Sequence, residues 1–159
     1  MKAIHRTALM LAISLSLTTC DNATVFDRYH NLPPEGWERN DTLLFTIAPA
    51  GRSGIFHEEA GVRIHAGYPY TNMTLAIEQR ILPSGWHRTD TLRCKLADSR
   101  GQLRGSGMAY HQYSFHITDI RMAKDDTLLI AVHHVMRRET LPGVTDIGIR
   151  MTQTEASDE

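Results

Sequence analysis

Eight histidines follow residue 19 of this 159-residue chain: His30, His57, His65, His87, His111, His116, His133 and His134. At that density imidazoles could hold a transition metal or move protons. The spacing argues against both. His133 and His134 are adjacent, and neighbours on a strand point to opposite faces, so one ion could not take both without a bulge. There is no His-Glu-x-x-His and no paired cysteine motif. No metal and no cofactor are expected. A serine nucleophile on an elbow needs Gly-x-Ser-x-Gly, and neither Gly51-Arg52-Ser53-Gly54 nor Gly105-Ser106-Gly107 has that spacing. The carboxylate pairs Glu58-Glu59 and Asp125-Asp126 fall in polar stretches that read as solvated turns. No catalytic residue is assigned, and the chain is not expected to be an enzyme.

Binding chemistry is better represented. Tyr68, Tyr70, Trp37 and Trp86 all lie in or beside Pro/Gly turns, with Asn72 closing the loop that begins at Gly67. Rings at the end of a β-sandwich can stack on a sugar or fill a partner's pocket. The same rings can equally be packed over the sandwich edge. His134 and Arg137, with His133 and Arg138, make a basic strand end that could dock an acidic partner. Asp146 sits between apolar neighbours and is expected to be buried and paired with Arg137 or Arg150. The second cysteine, Cys94, shares a face with Leu92 and Leu96 and reads as a small buried hydrophobe.

The elements that must position these residues are strands. Val25 to His30 is a first structural block; Asp41 to Ile47, Val62 to Ala66, Met73 to Leu82, Thr91 to Ala97, Tyr113 to Ile120, Leu128 to Met136 and Val144 to Met151 follow. Met73, Leu75, Ile77 and Gln79 alternate with Thr74, Ala76, Glu78 and Arg80, which is the period of a half-buried strand. Leu128 to Met136 is the most apolar run and reads as a central strand. No segment carries a 3.6-residue apolar period of helix length. The fold class predicted is all-β, an antiparallel β-sandwich of about 7–8 strands spanning residues 25–151, with a polar tail over 152–159. Leu32-Pro33-Pro34-Glu35-Gly36-Trp37 is echoed by Leu82-Pro83-Ser84-Gly85-Trp86, either a duplicated strand pair or convergent turn chemistry.

The N-terminus carries an address. Lys2, His5 and Arg6 precede an apolar run from Ala8 to Leu17, too short for a bilayer helix, which needs roughly 20 apolar residues. Residues 1–19 read as a signal peptide, and Leu17-Thr18-Thr19-Cys20 resembles a bacterial lipobox in which the Cys20 sulfur receives a diacylglycerol. Residues 20–24 form a short polar tether, which places the domain close to a membrane and the loops around Asn31 to Trp37 nearest to it. Cleavage removes Lys2 and Arg6, leaving 15 Lys+Arg against 18 Asp+Glu, a net charge of −3. That balance, without a basic block, argues against nucleic acid as a partner.

Several stretches together resemble the gliding-motility lipoprotein GldH family of the Bacteroidetes. They are Cys20, Val25-Phe26-Asp27-Arg28-Tyr29-His30-Asn31-Leu32-Pro33, Gly36-Trp37, Tyr68-Pro69-Tyr70-Thr71-Asn72-Met73-Thr74-Leu75, Asp90-Thr91-Leu92, Gly101 with Gly105 and Gly107, His133-His134-Val135-Met136-Arg137, and Leu141 through Arg150. The resemblance implies a non-enzymatic, lipid-anchored (palmitate-bearing) protein of the cell envelope, at the periplasmic face of the outer membrane. It also implies partners among the envelope proteins of gliding and type IX secretion. Asp21, directly after the cysteine, would mean inner-membrane retention under proteobacterial rules, so the choice of membrane stays open. The family implies no catalytic residues. The alternative is an envelope module that binds glycan or peptidoglycan through Tyr68, Tyr70, Trp37 and Trp86.

Overall fold

A computed structural model describes residues 24–48 and 50–156; Cys20, the predicted signal peptide and most of the predicted tether lie outside the described residues. The chain forms ten strands: β1 (Thr24–Asn31), β2 (Trp37–Glu38), β3 (Leu43–Ile47), β4 (Gly54–His65), β5 (Asn72–Leu82), β6 (His87–Lys95), β7 (Tyr110–Met122), β8 (Thr127–His134), β9 (Thr140–Leu141) and β10 (Val144–Ala156). Two four-stranded antiparallel sheets are ordered β1-β10-β4-β7 and β3-β8-β5-β6, and β2 pairs with β9 in a small third sheet. Setting aside the two-residue strands leaves eight, as the sequence predicts. Their order is first-eighth-third-sixth and second-seventh-fourth-fifth, that of a jelly roll. Only the β5–β6 hairpin stays within one main sheet; every other link between long strands crosses the core.

Period-2 alternation builds that core. β3 buries Leu43, Phe45 and Ile47, and β5 buries Met73, Leu75, Ile77, Gln79 and Ile81. β8 lies between β3 and β5 and buries Leu128, Ile130, Val132 and His134, so it is the central strand its composition predicts. Opposite them, Phe56, Ala60, Val62 and Ile64 of β4 and Ile147, Ile149 and Met151 of β10 join the same apolar cluster. Cys94 is fully buried, and burial pushes its thiol up to about 12, so it is an inert core atom.

The structure departs from the sequence expectations at several points. β4 begins at Gly54, eight residues before the predicted start at Val62, so Glu58-Glu59 lies in a strand and not in a turn. Glu58 points inward at 0% exposure, while Glu59 faces out and accepts a hydrogen bond from Ser114 Oγ at 2.8 Å. β10 continues through Thr152 to Ala156 paired with β4, into the stretch predicted as a tail. Asp146 is buried as expected, but its partners are Asn31 Nδ2, which donates at 2.6 Å, and Arg63 at 3.8 Å, not Arg137 or Arg150. The two Pro/Gly/Trp turns have unlike roles. One leads into the β2–β9 sheet, and the other closes the β5–β6 hairpin through a cis Leu82–Pro83 bond.

Candidate functional site

Strand direction sorts the loops into two ends. β1 starts at Thr24 and runs eight residues to Asn31, about 25 Å at roughly 3.3 Å per residue. The end bearing Thr24 holds the turns 48–53, 83–86 and 123–126. The far end holds 32–42, 66–71, 96–109 and 135–143. Asn31 to Trp37 therefore lies at the far end from Thr24, opposite to the arrangement expected from the tether.

Backbone hydrogen bonds stitch the far-end loops into one platform. Leu32 N–H donates to Thr145 O at 2.9 Å, Arg39 N–H to Glu139 O at 2.8 Å, His65 N–H to Gly143 O at 2.8 Å, and Val135 N–H to Thr74 O at 2.9 Å. Gly143 has φ +79° and its Cα faces the Tyr68 backbone, where a Cβ would come within 3.2 Å of Tyr68 Cα. The Tyr68 hydroxyl donates to Asn72 O at 3.2 Å, closing the loop from within, and its ring meets Tyr70 edge-on at 5.5 Å. Loop 98–104 is ordered by Asp98, whose Oδ1 accepts from the Arg100 and Gln102 amides at 2.9 and 3.0 Å. Those bonds, Gln102's foremost, hold its carboxyl below the usual range.

Trp37 anchors the platform. It is fully buried, donates Nε1–H to Asp41 O at 2.8 Å, and meets the His134 ring edge-on at 5.1 Å. His134 Nε2 lies 3.0 Å from Trp37 O. A carbonyl can only accept, so Nε2 carries the hydrogen and Nδ1 keeps a lone pair, which is buried without a partner. Desolvation lowers the His134 pKa and keeps the ring neutral.

The predicted site residues thus divide. Trp37, Tyr68 and His134 are buried and structural, a correction to their reading as contact residues. Trp86 is 39% exposed but sits in the β5–β6 turn at the opposite end. The four rings proposed for a glycan platform are therefore not gathered on one surface. Tyr70, half-buried, and Asn72 and Arg137, exposed, remain at the far end with access to solvent. Alternation missed three further exposed apolar residues at this end, Met108, Tyr110 and Val135. Their signal was only an apolar residue beside a Gly-rich loop or past a strand end. A cleft of about 560 Å³ opens between Arg39, Asn40, Thr42 and the segment His133 to Arg137.

Fold and platform define the class: a jelly-roll sandwich that presents a rigid loop-built end with exposed Met, Tyr and Arg side chains. Residues 24–151 match the model of the GldH lipoprotein family. A relative in Flavobacterium johnsoniae, described as gliding motility lipoprotein GldH, is 24% identical over 161 residues, covering 96% of this chain and 99% of that protein. Among solved structures, an Eiger TNF from S. frugiperda matches with a TM-score of 0.35 at 5% identity, covering 86% of this chain and 96% of that one. A Clostridium thermocellum xylanase containing a CBM22-1 module reaches 0.39 at 9% identity over 83% of this chain and 29% of that one. Scores at that level carry no weight for function. The chain belongs to the GldH lipoprotein family.

Proposed function

We propose that this protein is lipid-anchored through Cys20 at the cell envelope, and that it serves the gliding and type IX secretion apparatus without catalysing a reaction. In this reading its far end docks onto another envelope protein. The observation that carries it is the family match across residues 24–151, joined to a far end whose exposed residues are of interface type. Tyr, Met and Arg are enriched at protein interfaces because they supply contact area or forked hydrogen bonds at low entropic cost. Two or more acyl chains on Cys20 would make the attachment stable, since each buried CH₂ contributes about 0.8 kcal/mol. The outer membrane, periplasmic side, is the placement we favour.

Gene deletion with complementation tests this. Loss of surface spreading and of secreted cargo, restored by the wild-type gene and not by Cys20→Ser, is the expected outcome. Intact spreading and secretion in the deletion strain would overturn it.

A further inference from the structure

The outer face of the β1-β10-β4-β7 sheet carries a cluster that strand parity conceals. His57 on β4 is the cross-strand partner of Asp119 on β7, and its Nδ1 lies 2.7 Å from Asp119 Oδ1. His116 precedes Asp119 by three positions, so in a regular strand their side chains would leave opposite faces. The strand is not regular there. Glu58 faces Thr118 and Glu59 faces His116, which leaves Ile117 as an extra residue. This β-bulge turns His116 to the face that His57 and Asp119 already occupy. The two imidazoles stack, with centroids 4.4 Å apart and planes 10° apart. One ligand atom from each of the three residues lies within 4.8 Å of the other two.

We propose that His57, His116 and Asp119 form a binding site for a divalent transition ion of zinc's class. Two imidazole nitrogens and one carboxylate oxygen, each at about 2.0–2.2 Å, make a three-ligand zinc set with a position left for water. Two nitrogens in three favour this class over calcium or magnesium, which take all-oxygen shells. All three side chains reach solvent, His57 at 33% and Asp119 at 55% exposure with His116 also exposed, so they have room to turn onto the ion. As the metal takes Nδ1, the hydrogen between His57 and Asp119 is given up there and Nε2 carries the ring's one hydrogen, by exchange with water, so His57 binds as neutral imidazole and Asp119 as carboxylate. The bound ion ties β7, an edge strand of its sheet, to β4 across the bulge. Spacing keeps His133 and His134 from sharing an ion; at His57, His116 and Asp119 the bulge supplies the exception.

Zinc titration by calorimetry of the full chain in detergent micelles tests the site. The expected result is one zinc per chain, with affinity at least about tenfold weaker in His116→Ala and in Asp119→Asn. His87→Ala, which removes an exposed histidine from β6, should leave the affinity unchanged. Zinc should also raise the melting midpoint of the wild type and not that of His116→Ala. Melting without zinc checks that each surface variant folds. Absence of binding, or equal affinity in the wild type and both ligand variants, would overturn the proposal.

Discussion

Glu58 shows how much a single inward carboxyl can set. It follows Phe56 and precedes Ala60 on the buried side of β4, where Gln79 Nε2 donates to its Oε2 and its Oε1 has no partner. Desolvation pushes its pKa up to about 8, against about 4.3 for a free glutamate. Nearby, Arg88 binds Asp90 at 2.7 Å and Thr118 Oγ1 at 3.0 Å, closing the seam between β6 and β7. An acid whose folded pKa is raised stabilises the fold fully below its unfolded pKa, and that stability disappears as pH rises through about 8. Glu58→Gln keeps the shape and cannot ionise. Chemical denaturation should find it close to wild type at pH 4.5 and more stable by a few kcal/mol at pH 8.5, at about 1.4 kcal/mol per pH unit of separation. His134 acts in the other direction. Its folded pKa is depressed, so its contribution is present above the ordinary value near 6.5 and is lost as pH falls through the folded value. Near-UV circular dichroism should report the Trp37 environment loosening on acidification below pH 6.5, and His134→Gln should remove that step.

At the scale of elements, glycine and register govern the sheet that β10 organises. Tyr29 of β1, Gly148 of β10 and Gly61 of β4 are successive partners across three strands. The Tyr29 ring lies over both glycines, and Arg63 caps the ring at 3.9 Å from its centroid. A Cβ on Gly148 would fall 2.6 Å from the ring, so Gly148→Ala must displace Tyr29 and Arg63 together. It should lower stability by about 1–3 kcal/mol in urea, with much of the loss absent in a Tyr29→Ala background. Alternation made β5, β8 and most of β10 legible, because their inward positions, Gln79 and His134 excepted, are apolar at a period of two. It failed at the start of β4, where an inward Glu58 and a run of polar letters imitate a turn. It failed again at Ile117, because a bulge changes phase without leaving a mark in composition. The jelly-roll order was not legible at all, since seven of the eight long strands find neighbours far away in sequence.

The whole molecule is polar in its architecture. Thr24, which continues toward Cys20, stands at one end, and the stitched loops stand about 25 Å away at the other. The stretches that resemble the GldH family pair with one another there. Asn31 meets Asp146, Tyr68 lies against Gly143, and Trp37 holds His134. Those segments could be named from sequence, but their meeting could not, because it depends on strands that cross between sheets. The membrane and the partner would therefore be met by opposite ends of the domain. Replacing Tyr70 by Ala together with Arg137→Glu should release the partner during co-purification from membranes while leaving the melting midpoint nearly unchanged, since Arg137 is exposed and Tyr70 only half-buried. The most direct test places a photo-crosslinking residue at position 137 and, separately, at position 86 in living cells. The docking account predicts a discrete adduct with another envelope protein from position 137 and none from position 86. An adduct from position 86 alone, or from neither position, would contradict it.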